Sequence, residues 1–150
     1  MFKNILIANL YFFSFIAVSN EYILEASSKT ISKQLKIDEN YKYTNIEIDV
    51  RWNDSVGEFG IGKCFGNIKT KNDYIILEAF CEAIDSKGDK AFFKINRDKD
   101  IEGGTGVSTY LSGTGKYKKL IGSKCVYAVK YYDKEHNFYM HKCKLDYKFN

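Results

Sequence analysis

A glycine-rich loop, two histidines and four cysteines are the parts of this chain whose residue types could do chemistry. The loop at 113–122 reads GTGKYKKLIG, with the glycines and lysine of a phosphate-binding loop. Such a loop needs the pattern G-x-x-x-x-G-K-[ST]. The residue five before Gly115 is Tyr110 instead of glycine. The residue after Lys116 is Tyr117 instead of Ser or Thr, so no nucleotide site is expected.

The same loop has a simpler structural interpretation. Gly113 and Gly115 permit a tight exit from a strand, because glycine has no Cβ to restrict its backbone. Tyr117 and Leu120 are then expected to pack a short turn, and Gly122 to start the next strand. The loop is therefore predicted to serve the fold.

His141 is the candidate for acid–base or ligand-binding chemistry, because imidazole titrates near neutral pH. Alternation places it on one face of the last predicted strand with Tyr139, Cys143, Leu145 and Tyr147. Three other aromatic residues are predicted to face inward as well: Tyr127, Tyr131 and Trp52. Such amphipathic rings could clasp a small hydrophobic or aromatic ligand. A hydrogen-bonded core histidine in a fully packed barrel is the alternative.

No pattern predicts a metal, a cofactor or a catalytic set. Residues 85–89, DSKGD, have half of a calcium loop, but its twelfth position would be Asn96 instead of Glu. A hairpin turn is expected there. No cysteine pair has C-x-x-C zinc spacing, and His136 and His141 are the only histidines. No serine–histidine–acid order can be assigned, and no two acids share a predicted inward face.

Residues 1–19 have the pattern of a secretory signal peptide. An apolar run extends from Ile5 to Val18, and the small residues Ala17 and Ser19 follow the spacing of a cleavage site. The run of about 14 residues is shorter than the roughly 20 that a membrane-spanning helix needs. We expect cleavage after Ser19 and a secreted or periplasmic protein with no membrane span. An uncleaved anchor is the alternative.

Composition favours an all-β protein. The chain has no proline, 11 glycines and 16% aromatic residues, which suits pleated sheets with glycine at turns and bulges. Charges of both signs are interspersed around a net charge of +4. They form no basic stripe, so nucleic acid is not an expected partner.

Alternation with a period of two predicts about eight strands. In residues 44–52, TNIEIDVRW, apolar and polar side chains alternate, and residues 137–149 behave in the same way. Similar runs lie near 29–37, 57–69, 74–85, 90–97, 107–113 and 123–132. Short connections between them predict an antiparallel barrel or sandwich, and a barrel is preferred because it leaves no exposed edge. The barrel domain is assigned to 44–150, after a more polar segment, 20–43, with a possible first strand.

The cysteines fit this series of hairpins. If Asn72 and Asp73 form a two-residue turn, the residue opposite Cys64 is Cys81, at a position where side chains approach closely. An even number of cysteines in an exported chain favours disulfides.

Cys125 and Cys143 likewise face each other about a turn near Lys134. Bridges 64–81 and 125–143 are thus the first choice. A different pairing across the barrel is the alternative.

The sequence GTGKYKKLIG, with EGGTG at 102–106, resembles the G-G-T-G-K-[FY]-x-x-[LI]-x-G signature of allene oxide cyclase and dirigent-like proteins and of small secreted bacterial relatives. G-x-C-x-G at 62–66 and D-x-x-G-D-K at 85–90 are looser matches. The resemblance implies an eight-stranded antiparallel barrel in which the motif lies between two late strands. The plant cyclase of this group uses acidic and polar residues that line the barrel, and no residues of this chain are matched to them.

We therefore expect a secreted β-barrel, similar to this family or calycin-like, that binds a small hydrophobic or aromatic ligand without catalysis. An isomerase or cyclase of the allene oxide cyclase type, and a structural or interaction protein, are the alternatives.

The hairpin register also predicts an apolar strip on the outside of the barrel. Phe65 lies opposite Phe80, on a face shared with Ile61, Ile76 and Ile84. Exposed strips of this kind mark subunit interfaces, and the resembled family forms oligomers, so a homo-oligomer is expected.

Overall fold

The computed structural model of the protein describes residues 20–72, 74–100 and 104–149. The predicted signal peptide at 1–19, Asp73 of the predicted turn and residues 102–103 of the EGGTG sequence lie outside them. No helix within the described ranges is long and apolar enough to cross a membrane.

Eight antiparallel strands close into one barrel, in which each strand pairs with its sequence neighbours and the last pairs with the first. The strands are β1 (Asn20–Lys36), β2 (Tyr41–Asp54), β3 (Phe59–Lys71), β4 (Tyr74–Asp85), β5 (Lys90–Asp100), β6 (Gly104–Gly113), β7 (Lys124–Tyr131) and β8 (His136–Leu145). A short 3₁₀-helix, Gly115–Leu120, joins β6 to β7. The predicted all-β antiparallel barrel is confirmed.

The polar segment 20–43 is part of this barrel, because it contains all of β1 and the start of β2. The barrel thus begins well before residue 44. Inward positions of β1 are apolar near its start, at Tyr22 and Leu24, and polar further along, at Thr30 and Ser32. The polarity of this segment reflects an open end of the barrel, where inward side chains meet solvent.

Both predicted disulfides are present, and they join neighbouring strands. Cys64 bonds Cys81 with Cα atoms 4.1 Å apart, and Cys125 bonds Cys143 with Cα atoms 4.3 Å apart. These short separations are typical of the closely spaced antiparallel pair. In the chain-entropy account, each bridge stabilises the folded state by about 3 kcal/mol, because it closes a loop in the unfolded chain.

The loop GTGKYKKLIG closes one end of the barrel. Its 3₁₀-helix buries Tyr117 and Leu120, which are 2% and 0% exposed, and Tyr117 packs beside Phe149. Gly115 has a φ of +47° and Gly122 a φ of +84°, a left-handed backbone that favours glycine. The predicted structural role of the loop is therefore confirmed, except that Gly122 lies in the turn and the next strand begins at Lys124. The 3₁₀-helix is called the plug below.

Two hairpin turns of the same design lie beneath the plug: 54–58, DSVGE, and 85–89, DSKGD. In each, one carboxylate oxygen of the first Asp accepts two backbone N–H groups of the turn at 2.8 to 3.0 Å. The other oxygen accepts a tyrosine hydroxyl, from Tyr22 at 3.1 Å for Asp54 and from Tyr117 at 3.2 Å for Asp85. Both buried carboxylates are thus hydrogen-bonded, as burial of a charge requires.

Ion pairs fasten the plug to these turns. The Lys116 ammonium lies 3.0 Å from a Glu58 carboxylate oxygen and 3.6 Å from Asp85. Hydrogen bonds from Lys87 and Lys116 hold the pKa of Glu58 at about 2. Lys116, which would contact phosphate in a nucleotide loop, here stabilises the closed end of the barrel through these ion pairs.

Candidate ligand-binding site

The other end of the barrel opens into a cavity of about 320 Å³. The floor of the cavity is apolar, with Val50 and Phe93 beside the Cys64–Cys81 bridge. Hydroxyl and amide side chains surround the mouth: Ser28, Thr30, Ser32, Gln34, Thr44, Thr70 and Asn137. The cavity therefore changes from apolar to polar between its floor and its mouth.

One strand, β6, contributes no side chain to the described cavity wall. Its inward positions beside the cavity are the small residues Gly104, Gly106 and Ser108, and the next inward residue, Tyr110, is in the packed core. A Cβ atom on Gly104 would clash with the guanidinium of Arg97, and one on Gly106 would clash with the ring of Tyr127. These two glycines let large side chains from β5 and β7 lie across β6.

His141 lies inside the barrel, as predicted, and is 2% exposed. Its Nδ1 atom is 3.4 Å from the hydroxyl of Ser108. Its ring packs against three aromatic rings, those of Phe93, Tyr127 and Tyr139, with centroids 5.2 to 5.6 Å away. Burial lowers the pKa of His141 to about 4, so the imidazole is neutral at pH 7.

Four of the five residues predicted to bind a ligand line this cavity: His141, Tyr139, Tyr127 and Tyr131. Tyr127 is buried, and burial raises its pKa to about 12. Tyr139 is half-buried, and burial likewise raises its pKa. Tyr131 is 51% exposed at the mouth, although it shares the inward face of β7.

Trp52 has the predicted inward orientation but does not belong to the described cavity wall. It is 5% exposed, and its indole N–H donates a 3.0 Å hydrogen bond to the carbonyl of Ile61. Thr44, on the same face of β2, does line the cavity. The two residues are eight apart, which is about 26 Å along an extended strand, so they lie at opposite ends of the barrel.

Sequence reasoning missed Arg97, which is 9% exposed and lies in the cavity wall. Both of its terminal nitrogens, Nη1 and Nη2, are 3.3 Å from the hydroxyl oxygen of Tyr131. Alternation in β5 could have found it, because Arg97 follows Phe93 and Ile95 on the inward face.

Comparisons with protein-family models, with curated proteins and with solved structures found no match to this chain. The resemblance of the glycine-rich loop to the cyclase and dirigent-like signature therefore depends on the loop residues themselves.

Replacing His141 with Gln should flatten the dependence of folding stability on pH. The pKa of this ring falls from 6.5 to about 4 on folding, so the unfolded chain takes up the proton at higher pH. The stability that depends on neutral His141 is therefore complete above about pH 6.5 and is lost as the pH falls toward 4. The loss should reach roughly 3 kcal/mol, since one pKa unit is about 1.4 kcal/mol.

The measurement is the free energy of unfolding by urea between pH 7 and pH 4, for wild type and His141→Gln. His136→Gln removes an exposed imidazole instead, and it shows how much of any change in slope follows from the loss of a histidine as such. Parallel curves for wild type and His141→Gln would contradict a buried neutral imidazole.

Proposed function

We propose that this protein binds a small hydrophobic or aromatic molecule inside the barrel and releases it unchanged. The observation that carries the proposal is a cavity with one mouth, an apolar floor and aromatic walls. A water molecule occupies about 30 Å³ and a bonded ligand atom less, so a cavity of this size has room for a ligand of roughly ten to twenty non-hydrogen atoms. Small-molecule sites have this character: mostly apolar, with a few placed polar groups.

The chemistry of the wall favours binding over an isomerase or cyclase. No Asp or Glu is among the described residues that line the cavity. His141 has a pKa of about 4, which makes it a weak base at neutral pH. Its ring also packs against Phe93 and Tyr139.

The cavity should bind N-phenyl-1-naphthylamine, an uncharged aromatic compound whose fluorescence rises in apolar surroundings. Titration should show saturable binding of one molecule per chain. Ile48→Trp places a large ring inside the cavity and should weaken binding by about tenfold or more, which corresponds to about 1.4 kcal/mol. Arg51→Trp, on the outward face of the same strand, should bind as wild type does.

Circular dichroism melting of both variants shows whether they remain folded. Equal affinity of folded Ile48→Trp and wild type would place the fluorophore elsewhere and would overturn the proposal.

We also propose that the mature protein is exported to an oxidising compartment, the periplasm or the medium. Two disulfides are consistent with that environment, and β1 begins at Asn20, so cleavage after Ser19 would leave all described strands intact. The intact mass of secreted material should match a chain from Asn20 less the hydrogens lost on forming two disulfides. A retained leader or reactive thiols in native material would reject export.

The outer apolar strip supports a further proposal, that two or more copies associate through it. Phe65 is 56% and Phe80 is 53% exposed, and Ile61 and Ile76 beside them are also exposed. Light scattering at high micromolar concentration should show an oligomer for wild type and a smaller species for Phe65→Ser/Phe80→Ser. Phe138→Ser, which removes an exposed ring from β8, is the control. A strictly monomeric wild type would refute association.

A further inference from the structure

We propose that the ligand is an anion, a hydrophobic carboxylate whose head group is held by Arg97 at the cavity mouth and whose apolar body extends toward the floor. This inference depends on the proposed function, because it requires the cavity to be a binding site. The residues that carry it are Arg97, Tyr131 and Lys134, all of which line the cavity.

Arg97 is a buried positive charge. Its side chain is buried, and an arginine keeps its charge at any physiological pH. Among the side chains that the structure describes, no carboxylate lies within ion-pair distance of it. A buried charge is costly unless it is paired, so an unpaired guanidinium in a cavity wall indicates that a ligand supplies the negative charge.

The hydrogen-bonding capacity of Arg97 and Tyr131 indicates how the head group of the ligand is bound. A guanidinium has five N–H donors in a fixed plane, and here Nη1 and Nη2 both donate to one acceptor, the Tyr131 oxygen. Because that oxygen accepts from Arg97, its own O–H can donate to a ligand. The guanidinium N–H groups that remain free of Tyr131 and this O–H together can donate to the two oxygens of a carboxylate.

The space for this arrangement is made by Gly104. A Cβ at this position would overlap the Arg97 guanidinium, so the missing side chain lets the arginine lie against β6 inside the barrel. The position of the Arg97 side chain inside the barrel therefore depends on a glycine at position 104 of β6. An arginine whose guanidinium pointed from the mouth into solvent would not require this space.

The charge around the mouth agrees with an anionic ligand. Lys134 adds a second positive charge, and the described lining residues include no acid. His141 lies deeper and is neutral at pH 7, so it does not compete for the head group. The remaining wall below Arg97 is apolar at Phe93 and Ile95, which suits an alkyl or aryl body.

Competition between decanoate and 1-decanol for bound N-phenyl-1-naphthylamine tests the inference. The two competitors share one chain and differ in the head group. Wild type should bind decanoate about tenfold or more tightly than decanol, because hydrogen bonds to charged groups are the stronger class. Arg97→Gln should remove this preference by weakening decanoate alone.

Two exposed positions keep the test informative if Arg97→Gln fails to fold. Tyr131→Phe removes the hydroxyl, and Lys134→Gln removes a charge at the mouth; each should reduce the preference for decanoate severalfold. Lys130→Gln, which removes the same charge from the outward face of β7, should leave the preference unchanged.

The outcomes separate the two proposals. Equal affinity of wild type for decanoate and decanol, with the fluorophore still bound in the cavity, would overturn the anion inference and leave the binding function standing. A preference for decanoate that survives Tyr131→Phe, Lys134→Gln and a folded Arg97→Gln would also overturn it. Failure of the fluorophore and both competitors to bind would overturn both proposals.

Discussion

Closure of the sheet is the constraint on which the other features of this protein depend. Eight strands enclose an interior that side chains can just fill or that can hold one small ligand. The closed end is filled because the plug inserts Tyr117 and Leu120, and because Asp54 and Asp85 accept the hydroxyls of the tyrosines that pack there. Among the described residues no segment inserts into the open end in this way, and the side chains that face inward there include many hydroxyls and amides. The cavity is the consequence of filling one end only.

The small residues of β6 determine what faces the cavity. Gly104 and Gly106 leave room for side chains from the adjacent strands, so Arg97 and Tyr127 lie across them. The stretch from Gly104 to Leu120 thus contributes twice: its glycines shape the cavity wall, and its last turn closes the opposite end. One continuous segment couples the geometry of the site to the packing of the core.

Much of the fold could be predicted from the sequence because the relevant signals are local. Alternation identifies strands, and the hairpin register that the sequence predicts, with Cys81 opposite Cys64, is the register of β3 and β4. How deep a residue lies in the barrel could not be predicted from local patterns. Thr44 and Trp52 share a face, yet the first lines the cavity and the second is in the packed core, because depth depends on how all eight strands are staggered. The absence of a described carboxylate beside Arg97 could not be predicted for the same reason, since it depends on which side chains of other strands lie at the depth of Arg97.

The most direct test of the account is where a ligand lies. Isoleucine methyl groups report on both faces of the sheet in a nuclear magnetic resonance spectrum: Ile46, Ile48 and Ile68 line the cavity, whereas Ile61 and Ile76 are exposed outside. On titration with decanoate, the account predicts that the inward methyl signals shift together and saturate while the outward ones stay in place. Shifts confined to the outward isoleucines would contradict it, because the ligand would then bind the surface and the cavity would have no part in binding.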